Sequence, residues 1–227
     1  LINKGTGSRT VFNVATEHPP LKKLNYDFTP DIIFTDGHDY GATQNAISKY
    51  QNAITIIDAG RVTPELLELC KYIKYIVCSK GFAETVTGLK FDFSNPSSLV
   101  AVYNKLQDKY PNSNIVITLE ENGCLYTSGN EIKIMPGLKI QAVDTTGAGD
   151  IFHGAFTYGI ANNFDMEKII TLSNIAAGLS VTKIGARLSV PNLSEVLDYY
   201  SKKMNNQVNG QTNIPVDNNQ GNMPNAN

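Results

Sequence analysis

The sequence predicts an α/β fold: a mostly parallel sheet with helices on both of its faces. Three observations lead there. Short β-branched apolar runs, such as "DIIFTDG" and "ITIID", recur along the chain. Each is followed by a stretch whose apolar residues have helical spacing, the pattern that parallel strands and crossover helices produce. The helical stretches also open on capping residues and close on glycine where they end sharply.

The elements follow in order. "SRTVFNVAT" alternates and is rich in β-branched residues, as a strand does. Asp31 to Gly37 reads as a short buried strand ending in a turn, and Ala42 to Tyr50 as a helix. Ile54 to Asp58 is a second buried strand. After it Thr63 offers an N-cap oxygen, Pro64 fits the first helical position and Glu65 suits the first turn. "KYIVCS" is a strand, "GFAETVTG" a short helix closed by Gly88, and "SNPSSLVAVYNKLQDKY" a helix entered through Ser, Asn and Pro. "NIVITLEENGCLYTSGNEIKIM" predicts strands separated by turns at Asn122-Gly123 and Gly129-Asn130. Two long helices follow, Asp150 to Ala161 and Asp165 to about Lys183. A last one starts near Leu193, with Ser194 as its cap and Glu195 in its first turn. From Asn205 onward Asn, Gln, Gly and Pro dominate. Such a segment cannot offset its ordering entropy, so 205–227 is expected to be a disordered tail behind a folded unit, 1–204.

Charge and composition exclude several function classes. Lys and Arg number 19 against 21 Asp and Glu, a net charge of −2, so nothing suggests a nucleic-acid surface. No apolar run reaches membrane-spanning length and the start has no signal-peptide pattern, which predicts a cytoplasmic protein without a membrane partner. Cys70, Cys78 and Cys124 are widely spaced and form no C-x-x-C, as expected of buried thiols in a reducing compartment. His18, His38 and His153 are too scattered for a zinc site.

The chemistry concentrates in "AVDTTGAGDIFHGAF", Ala142 to Phe156. In open parallel sheets, ligands sit beyond the carboxyl ends of the strands. A glycine turn there, running into a helix, brings backbone amides with no intrahelical partner toward an anion, and the helix dipole adds to the attraction. Asp150, at the head of that helix, would compete with a bound phosphate unless it has another task. Accepting a proton from a hydroxyl that attacks phosphorus is such a task. The same residues also suit a plain strand-to-helix connection, with Asp150 as a first-turn acid and Asp144 as a strand-end cap. G-x-x-x-x-G-K-[ST] is absent, and G-x-G-x-x-G fails because Phe152 stands at the third glycine.

"DTTGAGDIFHGAF" resembles the C-terminal signature of ribokinase-like, PfkB-type carbohydrate kinases. "IVITLEENGCLY" is similar to that family's upstream strand and turn. "LSNIAAGLSVTKIGARLSVPNLSEV" resembles its adenine-side helix, Gly-Ala loop and closing helix, and "DGHDYGATQNAISKYQNAITIIDAG" its crossover to a strand ending in Asp. The likeness covers most of Arg9 to Tyr200. It implies a three-layer α/β/α fold and ATP-dependent phosphorylation of a sugar hydroxyl. In that family Asp150 would be the base, and the amides of Gly147, Ala148 and Gly149 the anion hole. Thr118 and Gly123 would lie near the ATP phosphates, and Asn174 and Gly185 near the adenine. Asp144, Thr146, Gly185 and Ser189 fall where many members hold a monovalent cation such as K+, and Mg2+ would arrive with the nucleotide. A homodimer is also within the family's habits.

Several residues depart from the family pattern or stay open. Where members often carry Asn-x-x-Glu, this chain has Ser79 and Phe82, with Glu84 out of register; ketohexokinase-like members share that loss. Glu120 replaces a glycine expected after Thr118-Leu119. His38 suits either a ligand contact at the cleft mouth or a surface turn. Arg61 suits a phosphate contact or a helix entry, and His153 packing or chemistry. The chain opens at Leu1, after the family's first strands, so the N-terminal part of the fold, with its sugar-binding Asp and Gly-Gly turn, is expected to be missing. Two other readings therefore accompany the sugar kinase: a nucleoside or other alcohol kinase of the same fold, and a nucleotide- or sugar-binding protein without turnover.

Overall fold

The computed structural model describes Leu21 and residues 27–208. The strand expected over 8–16 lies outside the described residues, as does the tail after Val208. The sheet has six strands in sequential order: β1 (Ile32–Thr35), β2 (Ile54–Ala59), β3 (Tyr75–Ser79), β4 (Asn114–Thr118), β5 (Cys124–Ser128) and β6 (Glu131–Met135). β1 to β4 are parallel; β5 and β6 run antiparallel as a meander at the far edge. The helices are α1 (Tyr40–Lys49), α2 (Pro64–Leu69), α3 (Lys80–Thr87), α4 (Pro96–Lys109), α5 (Ala148–Ala161), α6 (Met166–Ser180) and α7 (Leu193–Val208).

The three layers follow from strand alternation. Successive side chains on a strand point to opposite faces. Ile57, Ile76, Cys78, Ile115 and Ile117 face one way and pack with Leu66, Leu69, Phe82, Leu99, Val102 and Leu106 from α2, α3 and α4. Ile56, Val77, Val116 and Tyr126 face the other way and meet Phe152, Phe156 and Ile160 of α5 and Ile169 and Ile170 of α6. Crossovers of one hand that all step in one direction put their helices on one face. The β5–β6 meander ends that series, and the chain then crosses to the other face for α5 and α6. Phe156 is fully buried, which contributes roughly 1.5–3 kcal/mol to seating α5 on the sheet.

The caps read from sequence are present where their oxygens find amides. Thr63 accepts the Leu66 N–H at 3.2 Å; Asp165, expected as the first helical residue, stands one place before α6 as its cap and accepts the Lys168 N–H at 2.9 Å. Ser194 differs: it lies inside α7. The helix instead begins after Asn192, whose backbone N–H is taken by the Glu195 carboxylate at 2.7 Å, the return half of a capping box. α7 continues to Val208, so helix extends past the boundary drawn at Asn205. Cys70, Cys78 and Cys124 are free and buried, and burial pushes the Cys70 thiol up to about 12. Among the described residues, no helix is long and apolar enough to cross a membrane.

Candidate active site

The loop into α5 is shaped by one glycine and one carboxylate. Gly147 takes the N-cap position in the left-handed region, φ 79 and ψ 2. A β-carbon there would also stand 2.9 Å from the Ala186 β-carbon, so the position needs glycine for conformation and for space. Ala148, Gly149 and Asp150 form the first turn of α5. The first bond of the helix proper is donated by Ile151 to the Gly147 carbonyl at 2.9 Å. The amides before it have no i−4 carbonyl to meet, although the Ala148 N–H reaches Thr145 at 3.3 Å. Asp150 is exposed at this N-terminus.

Asp144 fastens the loop. Its Oδ1 accepts the Thr146 N–H and its Oδ2 the Gly185 N–H, both at 2.9 Å. Ser189 is buried; its hydroxyl donates to the Ala186 carbonyl at 3.1 Å and its N–H to the Gly185 carbonyl at 3.0 Å. Asp144, Thr146, Gly147 to Asp150, Gly185 and Ser189 therefore converge on one end of α5. Gly185, expected beside an adenine and in the cation set, is tied by its N–H to Asp144 in the loop before α5.

Thr118, Gly123 and Asn174 form a second group around β4 to β6. The Thr118 hydroxyl donates to the Cys78 carbonyl at 3.3 Å, which ties the end of β4 to β3. Gly123 has φ 89 and ψ −125, and a side chain there would collide with the Met135 carbonyl. Asn174 is buried and donates to the Met135 and Pro136 carbonyls at 3.3 and 3.5 Å. Glu120 is exposed and has φ 58, the backbone state that favours the glycine it replaces. Ser79 caps α3 by accepting the Phe82 N–H at 3.1 Å, and Phe82 is a core residue. Those two positions are thus used for capping and packing. Glu84 serves its own loop, accepting from Lys90 at 2.8 Å and from the Phe91 N–H at 3.1 Å.

On the other side of Asp150 is a cavity of about 510 Å³, lined by residues from the carboxyl ends of β1 and β2. Asp36, His38, Asp39 and Asp58 share it with Asp150. His38 is exposed, and its Nδ1 lies 2.5 Å from Asp36. Its Nε2 meets the Arg61 guanidinium. A guanidinium only donates, so the ring donates through Nδ1 and accepts through Nε2. Desolvation opposes ionisation of Asp36, but the His38 backbone N–H and ring hold its carboxyl below the usual range. Asp58 shifts the other way. Burial pushes its carboxyl up and the nearby His153 opposes this, while Asp150 and Asp36 reinforce the rise. Asp39 is committed to capping α1 through the Ala42 N–H at 2.8 Å.

Asp36 and Asp58 were not singled out from sequence. An aspartate at the end of a buried parallel strand was the available signal, in "FTDG" and "IIDAG". His153 is buried within α5, with Nδ1 2.6 Å from the Gly149 carbonyl and Nε2 3.1 Å from the Val77 carbonyl. Among the described residues, no group of three or more His, Cys, Asp or Glu side chains could hold a metal ion.

Comparison with known proteins gives a consistent result. Residues 38–193 match the model of the pfkB family carbohydrate kinases. A ribokinase of Lactococcus lactis is 31% identical over 157 residues, 68% of this chain and 48% of the relative. A deoxyribokinase of Salmonella typhimurium is 32% identical over 143 residues, 61% of this chain and 45% of the relative. The crystal structure of ribokinase from Thermotoga maritima superposes with a TM-score of 0.62 at 28% identity, covering 75% of this chain and 57% of that one. This chain spans about half the length of the curated relatives it matches. The ketohexokinase-like expectation finds no support among these relatives.

Proposed function

This chain belongs to the pfkB family of carbohydrate kinases, and from that premise we propose that it carries the catalytic turn of an ATP-dependent sugar kinase. The observation that carries the reading is the position of Asp150. It stands at the amide-bearing end of α5 and lines the cavity edged by Asp36, His38 and Asp58. A sugar hydroxyl in that cavity would lie between a base and an anion site. Asp150 would take the hydroxyl proton as the oxygen attacks the γ-phosphorus of ATP. The amides of Gly147, Ala148 and Gly149 would receive the charge that builds on the transferred group. Carboxylates around a cavity accept hydrogen bonds from a polyol, which suits a sugar.

The nucleotide would lie over Thr118 and Gly123, toward Asn174 and Gly185, and Mg2+ would neutralise its phosphates. Asp144, with Thr146, Ser189 and nearby carbonyls, would hold a K+ ion, and the hydrogen bonds through Asp144 supply a loop stiff enough for that. The buried free cysteines suit the cytoplasmic location in this proposal, and a homodimer belongs to it on family grounds alone.

Ser79 and Phe82 favour a second reading, a nucleotide- or sugar-binding protein without turnover, since they serve as a cap and a core residue. Thermal-shift screening against pentoses, hexoses and nucleosides, followed by an ADP-release assay with each hit, tests the proposal. Sugar-dependent ADP formation supports it. Binding without turnover would favour the second reading, and a nucleoside acceptor would replace the sugar.

A further inference from the structure

We propose that His153 is a positioning residue for the phosphoryl-transfer turn, holding the peptide between Gly149 and Asp150 as a doubly protonated imidazolium. The phosphoryl-transfer part rests on the kinase reading above. Both ring nitrogens face carbonyl oxygens, Nδ1 that of Gly149 at 2.6 Å and Nε2 that of Val77 at 3.1 Å. A carbonyl oxygen can only accept, and a neutral imidazole has one N–H to give. A neutral ring would therefore point a nitrogen lone pair at one of the two carbonyls. The imidazolium donates to both.

A cation at this place needs a counter-charge. His153 is 4% exposed, and a buried charge without a partner is costly. The positive end of the α5 dipole also opposes it. Asp58 answers both demands, with Oδ1 3.5 Å from Nε2. Asp150 on the same helix, Asp36 and His38 after β1, and the Cys78 thiol on β3 lie within electrostatic reach of Asp58. Phe34 and Phe152 meet the imidazole as rings, with centroids at 6.2 and 6.1 Å.

The Gly149 carbonyl shares its peptide group with the Asp150 N–H. A charged donor on that carbonyl makes a strong hydrogen bond and fixes the peptide that carries Asp150, next to the amides proposed as the anion hole. The second bond, to Val77, anchors the same ring to the sheet. The start of α5 is thereby held to β3 by a side chain that touches no substrate.

Nitrogen NMR of the intact, histidine-labelled chain reads the protonation of each ring nitrogen directly. Both should be protonated in the wild-type chain, and Asp58→Asn should leave a single protonated nitrogen. His153→Phe, which keeps a ring and loses both donors, should lower kcat about 10²-fold, the scale of a misplaced reacting group, with little change in the KM for ATP. His153→Gln, which restores one donor, should recover part of that loss. A neutral ring in an active wild-type chain, or a folded His153→Phe variant with normal kcat, would overturn this proposal alone. A wild-type chain that makes no ADP with any sugar would overturn the phosphoryl-transfer role together with the kinase reading.

Discussion

The carboxylate of Asp144 accepts the backbone N–H of Gly185 at 2.9 Å across 41 residues of chain, and so joins the loop before α5 to the loop after α6. Its other oxygen holds the Thr146 N–H. The turn that presents Asp150 is therefore fixed from two directions by one side chain.

Removing that side chain should loosen the turn. Asp144→Ala leaves two amides without their acceptor, and each lost partner costs roughly 1–3 kcal/mol when water cannot replace it. Asp144 is partly exposed, so the lower end of that range applies. A fall in Tm by calorimetry, with a smaller fall for Asp144→Asn, is the expected result. If Asp144 holds K+, stimulation of turnover by KCl should vanish in the alanine variant.

Gly147 offers a test of backbone strain. Gly147→Ala must hold a β-carbon at φ 79 and press it against Ala186. The left-handed conformation alone costs about 1–2 kcal/mol. Denaturant titration should show at least that loss, together with slower turnover. Adding Ala186→Gly should return the part due to crowding and leave the conformational part.

Glu120 predicts a gain. It holds φ 58, where a glycine is unstrained. Glu120→Gly relieves the native state, while the freer unfolded chain takes back part of the gain. The net effect should be a stabilisation below about 1 kcal/mol. The KM for ATP should also fall as the carboxylate leaves the phosphate side. Denaturant titration and steady-state kinetics read the two effects separately.

Asp58 sets a pH dependence. Burial raises its folded-state value above the usual 3.8; Asp150 and Asp36 add to the rise and His153 opposes it. Its contribution to stability is complete below the unfolded-state value and is lost as pH rises through the higher folded-state value. The Tm difference between Asp58→Asn and wild type should therefore shift in favour of the variant as pH climbs through that window. A constant difference across the acid range would contradict the assignment.

Much of the fold was legible because its determinants are local. Thr63 and Pro64 announce α2, and the short β-branched apolar run Ile54–Asp58 announces a strand buried on both faces. The end of the chain was less legible. Ser194 has the right chemistry for a cap, but Glu195 reaches back to Asn192 and fixes an earlier start. The glycine turn and Asp150 could be read from sequence because they lie in one unbroken stretch. The polar contacts around them could not. His153 and Val77 are 76 residues apart, and no spacing rule joins an α5 histidine to the middle of β3. Asp36 and Asp58 reach the site only when the parallel sheet sets their strand ends side by side.

The most direct test of the account is sugar-dependent ADP release by Asp150→Asn beside wild type. A positioned base is worth roughly 10²–10⁴-fold, so turnover should fall by that order while the affinity for ATP, measured by calorimetry, stays nearly unchanged. Near-normal turnover in the variant would contradict the assignment of Asp150 as the base.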